Sequence, residues 1–169
     1  MIKRLLLIVL LSLAGAWVLR SFFFETVAIA TGSMEPTLPL GTRYGVNKWV
    51  YKLVPPRRGD IVMFKSPVEP GKGLIKRVVA VGGDRVEIRN KQVFLNGQPL
   101  YEPYAVHKRA SERLVGDNLG PLTAPPDHVF VLGDDRDESE DSSVWKDPKT
   151  GTPVYFVKNS EIQGRLMRP

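Results

Sequence analysis

The feature that most constrains this chain is the apolar run from Leu5 to Leu19, interrupted only by Ser12 and Gly15. As a helix it rises ~1.5 Å per residue, giving about 22 Å. Phe22, Phe23 and Phe24 extend it toward the ~30 Å of a bilayer's hydrocarbon. Lys3 and Arg4 precede the run and favour a cytoplasmic N-terminus. Arg20 falls near the far end, where its charge reaches the headgroups. The pattern predicts a membrane anchor over residues 1–24 and an extracytoplasmic domain over residues 25–169. A basic start, an apolar run and then Ala28-Ile29-Ala30 also describe a secretory signal with an A-x-A cleavage site. Cleavage after Ala30 would strip support from the segment that comes next, which favours the anchor.

The remainder of the chain is about one domain's worth of sequence. Hydrophobic residues are 43% and charged residues 25% of the chain, as in a globular body. There are 15 glycines and 14 prolines, and the apolar stretches are short, which points to β-structure and loops. The net charge of +6 suits an anionic lipid surface. The cations are scattered among acids, with no run resembling a nucleic-acid arm, so no nucleic-acid partner is expected. Cysteine is absent, which excludes disulfides, thiolate metal sites and a cysteine nucleophile.

Strand signals fall at Thr26 to Ala30, at the aromatic and β-branched stretch Thr42 to Lys52, at Asp60 to Phe64 and at Leu74 to Val81. Val86 to Ile88 and Val93 to Leu95 alternate around Asn90-Lys91, which reads as a hairpin, and Asn96-Gly97 is a further tight turn. Tyr101 to Pro126 reads as a long irregular loop or β-excursion. Val129 to Leu132 and Ile162 to Met167 are the last strands. The fold class is therefore mostly β, predominantly antiparallel, with long loops. Trp49 and Tyr51, set among Lys48, Lys52, Arg57 and Arg58, suit a lipid headgroup layer or a β-core.

Three segments carry chemistry. In Ile29-Ala30-Thr31-Gly32-Ser33-Met34-Glu35-Pro36-Thr37-Leu38, a serine sits between Gly32 and the stiffening Pro36, as a presented nucleophile requires. Lys76 interrupts an apolar strand. To act as a base near neutrality, its pKa must fall from ~10.4 by about 3 units. Burial and the charge of Arg77 are both expected to push that way. A Ser–Lys pair is one variant of nucleophile–base logic, and a Ser33–His128–Asp134 triad is another that spacing alone leaves open. The acidic run Gly133 to Ser143 fails as an EF-hand loop, with Glu140 where glycine and Lys146 where glutamate belong. Ser139 there is placed to hydrogen-bond a buried amine, with acids pinning the loop through Arg136.

Together these segments resemble the type I signal peptidases, membrane-anchored serine proteases that remove signal peptides. Gly32-Ser33-Met34-Glu35-Pro36-Thr37-Leu38 is similar to the nucleophile box. Ile75-Lys76-Arg77-Val78-Val79-Ala80-Val81-Gly82-Gly83-Asp84 is similar to the lysine box, and Gly133 to Ser142 to the late acidic box. Ile162-Gln163-Gly164-Arg165 resembles the family's ending. The resemblance implies Ser33 as nucleophile and Lys76 as general base. It implies an oxyanion hole from the Ser33 N–H and Thr31, with Ser139 orienting the lysine. Asp134, Arg136 and Asp141 would be structural. Val27, Ile29, Met34, Leu38, Leu74 and Ile75 would line shallow pockets for small side chains, giving an A-x-A preference. The implied partners are signal-peptide-bearing preproteins and membrane lipid, with no cofactor or metal, and a monomer is expected. Thr31 stands where the family commonly has serine. Ser143 stands where an arginine often follows Asp-Ser, which removes the usual aspartate–arginine pair. A Ser–Lys peptidase with one dedicated substrate and a non-catalytic membrane-anchored β-domain are the remaining readings.

Overall fold

The computed structural model describes residues 2–167, with side chains described for all of these except 16–22. The chain opens with helix α1 (Ile2–Phe23), whose described apolar side chains from Ile2 to Leu13 are all solvent-exposed. Among the described residues, no helix is long and apolar enough to cross a membrane. The expected anchor also draws on Met1 and on residues 16–22, including Arg20 and Phe22, which lie outside the described residues or side chains.

Two antiparallel sheets come after the helix. The larger has seven strands, β1 (Phe24–Ala28), β2 (Arg43–Asn47), β3 (Ile61–Lys65), β4 (Gly73–Val81), β9 (His128–Leu132), β10 (Val157–Lys158) and β11 (Ile162–Leu166). They lie in the order β1-β2-β11-β3-β4-β9-β10. The smaller sheet, in the order β7-β6-β5-β8, is built from β5 (Arg85–Arg89), β6 (Gln92–Leu95), β7 (Gln98–Pro99) and β8 (Leu119–Thr123). Its β5–β6 hairpin turns through Asn90 (φ 47°) and Lys91 (φ 70°), the left-handed pair that a two-residue hairpin turn requires. The chain thus leaves the large sheet after β4, builds the small sheet, and returns as β9 beside β4. Val79, Ala80, Phe130 and Leu132 pack against Val86, Ile88, Val93 and Leu95, which joins the two sheets.

The stretch Thr42 to Lys52 is not one strand. After β2 the Asn47 side-chain oxygen accepts the N–H groups of Trp49 (2.9 Å) and Val50 (3.1 Å), and the chain turns into a short helix, α2 (Val50–Leu53). This side-chain acceptor competes with the strand ladder and wins. The helix separates the two aromatics. Tyr51 packs toward the core of Val62 and Phe64 and donates to Asp60 at 2.9 Å, whereas Trp49 meets Phe23 with ring centroids 4.9 Å apart.

Candidate active site

Three segments meet at one corner of the large sheet, two loops that leave strands and one strand itself. The first leaves β1. Ile29 is buried, its N–H donating to Thr42 O (2.9 Å) and its carbonyl accepting from Gly41 (2.8 Å). The Ala28-Ile29-Ala30 segment is therefore part of the folded domain. One 3₁₀ turn over Gly32–Met34 comes next, closed by Glu35 N–H to Gly32 O at 2.9 Å. Met34 and Leu38 drive this turn inward, being 2% and 4% exposed. Ser33 is carried with them and is buried, with its Oγ 3.3 Å from the Thr31 hydroxyl.

The second contribution comes from β4, which is paired along both edges by β3 and β9 and is buried on both faces from Lys76 to Ala80. Lys76 lies there, 3% exposed, and its Nζ donates to Ser139 Oγ at 3.0 Å. Ser139 belongs to the third segment, the loop that leaves β9, and donates in turn to Asp141 Oδ2 at 2.6 Å. Asp141 also accepts from Gly133 N–H (2.9 Å), Ser143 N–H (3.0 Å) and the Ser143 hydroxyl (2.7 Å). Ser143 thus binds one oxygen of this aspartate through both its N–H and its hydroxyl. Gly133 explains why the loops can close. A Cβ there would meet Ser139 Oγ, and would lie 2.5 Å from both Ser139 Cβ and the Ser33 carbonyl oxygen. Asp135 N–H donates to that same Ser33 carbonyl at 3.2 Å.

Burial is the main influence on the Lys76 amine and pulls its pKa down to about 8. Lys72 adds a little in the same direction, while Asp141, Glu140 and Asp134 oppose it. Arg77 does not contribute as the sequence pattern led one to expect. Successive strand residues point to opposite faces, and Arg77 is clamped by Asp134 through Nε–Oδ1 (2.8 Å) and Nη2–Oδ2 (2.6 Å). Both side chains are buried, so the positive charge is cancelled where it lies. The Tyr104 ring covers the guanidinium at 3.8 Å. Arg136 ties the acidic run to the preceding loop through an acid, Glu102. It reaches out to Glu102 (3.0 and 2.6 Å) and back to Gly133 O (3.0 Å).

The histidine alternative does not assemble. Both Asp134 oxygens belong to Arg77, and His128 starts β9 whereas Asp134 lies beyond its end. Among the described residues, no group of three or more His, Asp or Glu side chains is arranged to hold a metal ion.

Of the expected pocket residues, Ile29, Met34 and Leu38 are buried together with Ile61 and Met63, and Val27 and Ile75 pack against them. Leu74 is placed elsewhere, on the opposite face of β4 against Val62, Phe64 and Trp145. A cavity of about 390 Å³ adjoins the first group, lined by Leu38, Tyr44, Ile61, Arg77, Tyr104 and Met167. Sequence reasoning missed Lys108, which pairs with Asp135 (2.6 Å) and Glu35 (3.4 Å) and so ties the serine loop to the acidic loop. It also missed Tyr104 and the Arg77–Asp134 clamp. The one available signal was Arg77 itself, since an arginine inside an apolar strand requires an ion partner.

By class this protein is a serine endopeptidase. The chain belongs to the family described as signal peptidase, peptidase S26, which matches it over residues 2–168. It is 37% identical over 144 residues to signal peptidase I P of Bacillus subtilis subsp. natto, covering 83% of this chain and 75% of that one. It is 38% identical over 151 residues to probable signal peptidase I-1 of Synechocystis, covering 85% and 74%. With signal peptidase I of Pseudomonas aeruginosa the identity is 35%, over 88% of this chain and 65% of that one. Among solved structures, a signal peptidase I from Enterococcus faecalis is similar, with a TM-score of 0.51 and 32% identity, covering 66% of this chain and 97% of that one.

Proposed function

We propose that this protein removes N-terminal signal peptides from secreted precursors after small residues, with Ser33 as nucleophile and Lys76 as general base. The observation that carries this reading is the Lys76 amine. It is buried, it is bonded to a hydroxyl, and no carboxylate bonds it among the described residues. Such an amine loses its proton near neutral pH and can then accept another.

In the proposed reaction, neutral Lys76 takes the Ser33 proton as Ser33 Oγ attacks the scissile carbonyl. The Ser33 N–H and the Thr31 hydroxyl hold the oxyanion, each donor contributing ~3–4 kcal/mol to the transition state. The leaving amine takes a proton from the lysine and departs. Neutral Lys76 then activates a water that hydrolyses the acyl-enzyme, and Ser139 aims the amine throughout. The shallow apolar group of Val27, Ile29, Met34, Leu38 and Ile75 supports a preference for small side chains. The proposed domain division is an anchor over 1–24 and a catalytic domain over 25–169. Apolar side chains exposed on every side of α1 support a membrane setting, because a helix that is apolar all round needs an apolar solvent. Lys3 and Arg4 favour a cytoplasmic N-terminus, with the catalytic domain on the far side.

The test is cleavage of a preprotein by the detergent-solubilised full chain. Ser33→Ala and Lys76→Ala each lower kcat by ~10⁴ or more, and the double variant is hardly worse, because the two act as a unit. Cleavage by Lys76→Ala at the wild-type rate would remove the lysine from the mechanism.

A further inference from the structure

Outside the catalytic corner lies an unassigned cavity of about 610 Å³ whose walls include Lys48, Trp49, Tyr51, Lys52, Lys65 and Glu161. Three lysines and one carboxylate line it, and although Lys48 also pairs with Glu25 at 3.8 Å, Lys52 and Lys65 leave the wall cationic, so the cavity favours an anion. Its position is set by chain geometry. Phe24 pairs with Asn47, and the Lys48 N–H donates to Phe23 O at 3.0 Å, so this wall is bonded directly to the last residue of α1. Trp49 meets Phe23, and Lys52 lies over the Trp49 ring at 4.4 Å. Beside them Leu53 is 80% exposed, an apolar side chain presented next to cations. Asn159, also in the wall, has its side-chain oxygen buried without a hydrogen-bond partner. That oxygen is an acceptor in want of a donor.

We infer that this cavity binds the headgroup of an anionic, hydroxyl-bearing phospholipid. The phosphodiester lies among Lys48, Lys52 and Lys65, a headgroup hydroxyl donates to Asn159 Oδ1, and Trp49 and Leu53 touch the acyl boundary. The lipid as source rests on the reading of α1 as a membrane anchor. An amphipathic ring on an apolar helix end marks the level of the interface, and the cavity opens at that level. Headgroup binding there would fix the height and rotation of the domain over the bilayer.

The test uses the full chain in a neutral maltoside detergent. Binding of dihexanoyl-phosphatidylglycerol, dihexanoyl-phosphatidylcholine and inorganic phosphate is measured by calorimetry. The same is done for a variant carrying Lys48→Gln, Lys52→Gln and Lys65→Gln. The glycerol lipid binds at least tenfold more tightly than the choline lipid or free phosphate, and affinity falls roughly fivefold per lysine removed. Cleavage of a short soluble peptide stays at the wild-type rate in the variant, which shows that it is folded. Equal binding of the two lipids overturns the inference, as does unchanged affinity in the triple variant. Free phosphate binding as tightly as the glycerol lipid makes the cavity a simple anion site and overturns the lipid assignment. Flotation with neutral phosphatidylcholine vesicles separates the two readings. Flotation without headgroup binding overturns the cavity, and headgroup binding without flotation overturns the anchor.

Discussion

Lys76 and Arg77 are neighbours on β4, equally buried, and the protein treats their charges in opposite ways. Arg77 is given a full carboxylate in a two-pronged clamp, a carbonyl at 3.2 Å and an aromatic lid. Lys76 is given one serine hydroxyl, and the nearest acid of that chain, Asp141, is kept one residue removed behind it. The first arrangement locks a charge in place. The second leaves the cation poorly compensated, so that burial favours the neutral amine. Guanidinium and ammonium suit these fates, since the first cannot lose its proton in a protein and the second can. A strand of alternating faces thus holds a permanent charge on one side and a titrating one on the other.

The difference predicts different responses to mutation. The largest effect is expected on the locked side. Arg77→Met or Asp134→Asn leaves a buried charge without its partner and costs about 3–5 kcal/mol, read by urea unfolding. A cost near zero for both would mean that the clamp contributes nothing beyond filling space. On the other side, in the hydroxyl group around Ser33, Thr31→Ala lowers kcat by roughly 10²–10³ with little loss of stability, and Thr31→Ser restores it. A Thr31→Ala enzyme as fast as wild type would place the oxyanion elsewhere.

The smaller effect is opposite in sign to that of the clamp. Lys76→Met should stabilise the fold. The folded-state pKa of Lys76 is lowered from 10.5 to about 8, so the unfolded chain holds its proton more tightly. Below about pH 8 both states are protonated, and the whole penalty of about 3 kcal/mol is present. As pH rises from 8 to 10.5 the folded state gives up its proton first, and the wild type gains stability until the penalty is gone. Unfolding of wild type and Lys76→Met should therefore differ at pH 7 and converge toward pH 10.5. A difference that does not change with pH would show that the lysine is not depressed.

The sequence made the chemistry-bearing segments legible because each is local. The serine lies between a glycine and a proline, the lysine interrupts an apolar run, and the serine of the acidic loop stands close to its aspartate. The strands of alternating residues and the Asn90-Lys91 and Asn96-Gly97 turns were legible for the same reason. Contacts made across distance could not be read. Asp134 and Arg77 are 57 residues apart, and Lys108 reaches both Glu35 and Asp135 from a loop without regular structure. Leu74 was placed with Ile75 by the family resemblance, yet strand alternation puts the two on opposite faces. At Thr42 to Lys52 the β-branched and aromatic content pointed to a strand, and the capping oxygen of Asn47 redirected the chain after five residues of β2.

The central claim is that Lys76 is neutral when it is needed. It is tested most directly by following the side-chain carbon adjacent to the Lys76 amine by NMR across pH in the folded full chain, with Lys76→Met identifying the resonance. The expected result is a midpoint about 8, coincident with the rising limb of kcat/KM for preprotein cleavage. A midpoint at or above 10.5 with activity already complete at pH 7 would contradict it.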